Sequence, residues 1–180
     1  FHLNNFVETN ATLNNAPNTP GNSSTLLVDN AMRGSIALGA GNYAATINVR
    51  SVFADVPNNT LRLSMGSGND SLTLNGDASR TYANVAAGSG TDTMTFVNVL
   101  NATVTGGSGA SAVLLLGAGT ATVTAGSGSM AVKGGTGADT YIAHAGSGLM
   151  VIENFSLAKG DVLQVDKALK ASLVETARTG

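Results

Sequence analysis

The sequence predicts an all-β fold, a parallel β-roll or β-helix solenoid of about 5–7 coils with an irregular N-terminal segment and a C-terminal cap. Three observations predict it. A Gly-Ser-Gly turn recurs through 61–155, starting at Gly66, Gly88, Gly107, Gly126 and Gly146, in steps of 22, 19, 19 and 20 residues. Apolar residues hold fixed places relative to each turn, with polar residues between them. The chain carries 23 glycines, 4% aromatic residues and no Trp, so the interior must be thin and filled by small side chains.

The ranks give the repeat its physical content. Three residues before each turn stand Leu63, Val85, Val104, Val123 and Ala143; five before stand Leu61, Ala83, Ala102, Ala121 and Tyr141. Six after stand Leu72, Met94, Val113, Val132 and Ile152. Thr103 and Thr105, then Thr122 and Thr124, alternate with the apolar positions. Spacing by two places successive residues on opposite faces of a strand, which no helix does. A coil of about nineteen residues has room for two short strands, and equal spacing stacks the copies in parallel.

The elements follow in order. Residues 1–25, rich in Asn, Thr and Pro, read as a linker or a cap over the first coil. Residues 26–60 read as irregular first coils: Gly39-Ala40-Gly41-Asn42 matches the turn, with Ile36 and Ala45 in the apolar ranks. The long steps to Gly66 and Gly88 require excursions, expected at 52–59 and 77–81. Residues 61–155 are the regular roll. Residues 156–180 read as a capping segment, with a short strand in AKGDVLQVD and then either a short amphipathic helix or an incomplete coil at 168–177.

Composition excludes several functions. The net charge is −2 without a basic run, so nucleic acid has no electrostatic footprint. The absence of Cys removes disulfides and thiolate-bound metals. No stretch is long and apolar enough to span a membrane as a helix. Neither His2 nor His144 stands at a distinctive spacing from a nucleophile, which argues against an enzyme. The Gly-x-Gly matches open no helix, so a dinucleotide site is not supported. Starting at Phe1, the chain reads as part of a longer protein.

The segments GSGNDSLTL (66–74), GSGTDTMTF (88–96) and GGTGADTYI (134–142) carry the remaining chemistry. They resemble the Gly-Gly-x-Gly-x-Asp-x-apolar-x nonapeptide of the RTX family, the haemolysin-type calcium-binding repeats of secreted bacterial proteins. The stretch 134–166 resembles the last repeat and closing segment of such proteins. The resemblance implies a right-handed β-roll, calcium between turns, type I secretion and an extracellular or cell-surface location in a bacterium. Calcium takes six to eight oxygens from carboxylates and carbonyls. Two stacked turns that both carry the aspartate are the expected site: Gly66, Gly68 and Asp70 with Gly88, Gly90 and Asp92. Asp139, facing Ala121 on the other edge, is a half-site. The copies between depart from the family pattern, with Ser111, Met130 and Met150 in place of the aspartate. Hydrogen bonding to turn amides is the competing role for these aspartates.

The function expected from these features is a non-catalytic, calcium-stabilised structural module of a large secreted or surface protein, such as a surface layer, adhesin or extracellular filament. Its partners would be neighbouring repeats or further copies of itself. The alternative is an accessory secretion and folding module of a secreted hydrolase or polysaccharide-modifying enzyme. An ice-binding face built on the Thr103/Thr105 and Thr122/Thr124 pairs would span only two rungs. A carbohydrate-binding face would need an aromatic strip, and Tyr43, Tyr82 and Tyr141 do not form one.

Overall fold

The computed structural model describes residues 1–4, 8–13, 23–49, 59–117 and 119–172. It is an all-β parallel solenoid, as the repeat requires. One eight-stranded parallel sheet takes the odd strands β1 (His2–Asn4), β3 (Ser23–Ala31), β5 (Asn42–Val49), β7 (Ser71–Asn75), β9 (Thr91–Val97), β11 (Ala110–Leu116), β13 (Met130–Lys133) and β15 (Met150–Glu153). The facing eight-stranded sheet takes β2 (Glu8–Leu13), β4 (Arg33–Leu38), β6 (Asn59–Ser64), β8 (Thr81–Ala86), β10 (Asn101–Thr105), β12 (Thr120–Thr124), β14 (Thr140–Ala143) and β16 (Val162–Val165). The chain crosses between the sheets at every turn, so each coil contributes one strand to each.

The aliphatic ranks form the core. Leu63 pairs with Val85, Val85 with Val104 and Val104 with Val123, all buried. Leu72, Met94, Val113 and Val132 line the opposite wall in the same way. Burying each such side chain stabilises by roughly 1.5–3 kcal/mol. The strands that carry them alternate buried and solvent-facing positions, so the polar residues between form the two outer faces.

One step of the repeat differs from the spacing of its turns. Val123 pairs with Tyr141, not with Ala143, so Tyr141 joins the Leu63–Val104 rank. The strand half of that coil advances 18 residues, and the surplus enters the following turn. There the Ser147 N–H bonds the His144 carbonyl at 3.0 Å and Gly148 resumes the stack on Gly126. Thr122 and Thr124 consequently pair with Thr140 and Ile142, not with Ile142 and His144.

The flanking segments also build rungs. Within 1–25, β1 pairs with β3 and β2 with β4, forming the first rung. Ile36 and Ala45 pair with Leu63 and Leu72, as the Gly39 turn implies. The excursion expected at 52–59 lies, except for its last residue, outside the described residues. The one at 77–81 is a turn closed by the Arg80 and Thr81 N–H groups on the Asp77 carbonyl. In the C-terminal segment a 3-10 helix, Leu157–Lys159, leads into β16, which lies beside β14. A second 3-10 helix covers Lys167–Ser172, and 173–180 lie outside the described residues. Among the described residues no helix is long and apolar enough to cross a membrane.

Candidate metal centre

The alternation that points Leu72 and Met94 inward does the same for the residues two places earlier. These are Asp70 and Asp92, at 2% and 0% exposure, and register places them one above the other. Their rank runs from Tyr43 through Asp70, Asp92 and Ser111 to Met130 along one edge of the interior. Carboxylates in this slot answer to backbone amides. Asp70 Oδ1 accepts the Tyr43 N–H at 2.8 Å, and Asp92 Oδ1 accepts the Asp70 N–H at 3.2 Å. Asp92 Oδ2 accepts the N–H of its own turn glycine, Gly88, at 3.2 Å. Outside them Asn69 accepts the Thr91 N–H and donates its own to Asn42 Oδ1, both at 2.8 Å.

The same device recurs on the other edge. Asp139, 1% exposed, accepts the Ala121 N–H at 2.9 Å, the Gly135 N–H at 3.2 Å and the Tyr141 hydroxyl at 3.3 Å. Its own N–H goes to Asp161 Oδ1 at 3.0 Å, and Asp161 Oδ2 takes the Ser156 N–H at 2.8 Å. Asp161 was not singled out by the motif. Its signal is spacing: Asp161-Val162-Leu163 repeats Asp139-Thr140-Tyr141, and β16 pairs with β14 in that register.

Asp70 departs from this pattern. Its Oδ2 is buried without a hydrogen-bond partner. It has no counterpart of the Gly88-to-Asp92 bond; the equivalent turn glycine, Gly66, stands at φ +50, in the left-handed region. Burial therefore acts on Asp70 with little compensation. Its carboxyl is pushed up to about 6, by desolvation first, against the Tyr43 N–H and with help from the Asp92 charge. Burial also raises Asp92 and Asp139, opposed by their amide bonds. Burial alone would raise Asp161 too, but the Asp139 and Ser156 N–H groups and the Lys159 ammonium outweigh it and hold that group low.

The donor set tests calcium directly. Three of the four Asp70 and Asp92 oxygens already accept amides, leaving one open. The turns themselves are zipped: the Ser89 N–H bonds the Gly66 carbonyl at 3.0 Å, the Gly68 N–H bonds the Ser89 carbonyl at 2.9 Å, and the Ser108 N–H bonds the Gly88 carbonyl at 3.1 Å. Gly90 packs so closely on the Gly68 carbonyl that an added Cβ would lie 1.9 Å from it. At Asp139 every carboxylate oxygen is engaged. Among the described residues no three His, Cys, Asp or Glu side chains converge on a point. In this arrangement the residues do not complete a cage of six to eight oxygens on either edge. His144 lies in the turn after β14, with Nδ1 3.5 Å from Asp166 Oδ1.

The raised carboxyl at Asp70 fixes the sign of a pH dependence. A group whose folded value exceeds its unfolded one stabilises fully below the unfolded value, here 3.8, and that stabilisation is lost as pH rises through about 6. Asp92 and Asp139 act in the same direction; Asp161 acts oppositely, losing its contribution in strong acid. In calcium-free buffer the melting temperature should therefore be higher at pH 5 than at pH 7.5. Asp70→Asn should remove most of the difference by stabilising the pH 7.5 form. A profile that rises toward pH 7.5 in both proteins would contradict the assignment.

Compared with family models, curated proteins and solved structures, the chain matches none.

Proposed function

We propose that the chain is a non-catalytic structural segment of a larger secreted or cell-surface bacterial protein of the surface-layer, adhesin or filament kind. One observation carries this: the four buried aspartates among the described residues face the backbone of neighbouring rungs, not a cleft. Asp70, Asp92, Asp139 and Asp161 each take an amide from the rung before, so the polar chemistry of the chain is directed at holding rungs together. A body of this kind transmits load along its axis and presents two flat faces of small residues for lateral contact. In this role calcium could draw on only one open carboxylate oxygen, Asp70 Oδ2, of the six to eight it takes, so the rungs stand on amide bonds and apolar stacking.

The test is immunogold labelling of native material with an antibody to this chain, combined with calcium titration of the isolated chain. Label on a surface lattice or extracellular fibres supports the role. Label confined to the cytoplasm, or to dispersed particles that carry hydrolase activity, overturns it. Circular dichroism should show the sheet retained in excess chelator. Complete unfolding there would place calcium throughout the stack.

A further inference from the structure

The far edge of the solenoid, at its C-terminal end, holds a charge that the repeat motif does not contain. The 3-10 helix Leu157–Lys159 ends at Gly160, with φ +90, and brings the Lys159 side chain back between two successive turns. The Lys159 ammonium donates to the Gly135 carbonyl at 2.8 Å and to the Asn154 carbonyl at 2.8 Å. It lies 3.2 Å from Asp161 Oδ2. The Gly135 carbonyl belongs to the turn between β13 and β14, and the other two oxygens belong to the turn between β15 and β16. Asn154 supports the same junction, donating its side-chain N–H groups to the Gly134 and Gly135 carbonyls at 3.1 and 3.3 Å.

We propose that the Lys159 ammonium is a resident cation, standing between these turns in the place of a divalent ion and so freeing the C-terminal end of the solenoid from any need for metal. The chemistry of its partners supports this. Two turn carbonyls and one aspartate oxygen, drawn from successive coils, are the hard oxygen donors that bind calcium or magnesium. A divalent ion at these three oxygens would have to complete its shell with water, whereas they match the three N–H donors of an ammonium without it. Lys159 is 21% exposed and Asp161 fully buried at its side chain, so the pair is shielded enough for the charge to matter. Asp161 in turn takes the Asp139 N–H, which ties the ammonium to the aspartate ladder.

Removing the ammonium should convert the junction into a metal-dependent one. The test uses the full chain with Asp70→Asn, so that calcium has no open oxygen on the near edge. With Lys159 intact, the melting temperature should be the same in chelator and in millimolar calcium. Lys159→Ala should lower it in chelator by about 5 °C or more. Calcium should restore at least half of that loss, and adding Asp161→Asn should abolish the restoration. The proposal is overturned if Lys159→Ala melts as its parent does, or if it melts lower and neither calcium nor magnesium restores it. It is equally overturned if calcium stabilises the chain with Lys159 in place. Should Lys159→Ala fail to fold with or without calcium, Lys159→Gln, which keeps length and donors but not charge, decides by the same titration.

Discussion

Val104→Asp is expected to abolish the folded state, with a loss of about 4 kcal/mol or more. Val104 is fully buried at the middle of the stack, with Val85 on one side and Val123 on the other. A carboxylate there would stand between Val85 and Val123 inside the hydrophobic core. The interior amides that other aspartates use lie at the turn edges, two residues from the centre of the wall. The charge is left unpaired, or the group must stay protonated far above its usual range. In a solenoid the damage divides the stack, because each coil is stabilised chiefly by its two neighbours. Thr105→Asp is the control: one position on, it points outward and is exposed, and its melting temperature should change little. Loss of the β signal in circular dichroism for Val104→Asp alone is the expected result. Equal melting of both variants would mean that the inner and outer faces are reversed.

The fold was legible because three independent features agree on one register. Glycine turns set the coil length, aliphatic ranks set the inward face, and small side chains set the width. Leu63, Val85, Val104 and Val123 needed no long-range information to be placed together. The step to Tyr141 departs from the turn spacing because the turn glycine is not the fixed point. The physical constraint is filling the interior slot, and a two-residue surplus is cheaper in an exposed turn than in the core. The direction of the aspartates was also available. Asp70, Asp92, Asp139 and Asp161 each stand two residues before an inward apolar residue, and parity alone sends them inside. What sequence could not supply is which amide each carboxylate meets, since that depends on the turn conformation. Gly66 and Gly88 occupy equivalent places, yet only Gly88 donates to its aspartate. Lys159 was invisible for a similar reason: its role requires two turns of different sequence to converge on one ammonium.

Gly88 is a point of very close backbone approach, where Gly88→Ala should be nearly as damaging as a core charge. A Cβ on Gly88 would lie 1.5 Å from the Gly66 carbonyl oxygen and 2.5 Å from its carbon. Both obstacles are backbone, so no side-chain rotation relieves them. The turns must separate, and their separation breaks the bonds that cross between them, from the Ser89 N–H to the Gly66 carbonyl and from the Asp70 N–H to Asp92 Oδ1. The buried Asp92 carboxylate then loses a donor, at about 1–3 kcal/mol, and the half-buried Gly66 carbonyl loses another. The strands on either side are pulled apart with them, since Ser67 and Ser89 are bridged in parallel register. An expected loss of about 3 kcal/mol or more follows, together with faster hydrogen exchange at the Asp70 and Ser89 amides. Ser89→Ala, at the exposed neighbouring position, should leave both measurements unchanged. If Gly88→Ala matches wild type in melting temperature and exchange, the rungs are not in direct backbone contact at this edge. A gap wide enough for an ion would then lie where the hydrogen-bonded turns now stand.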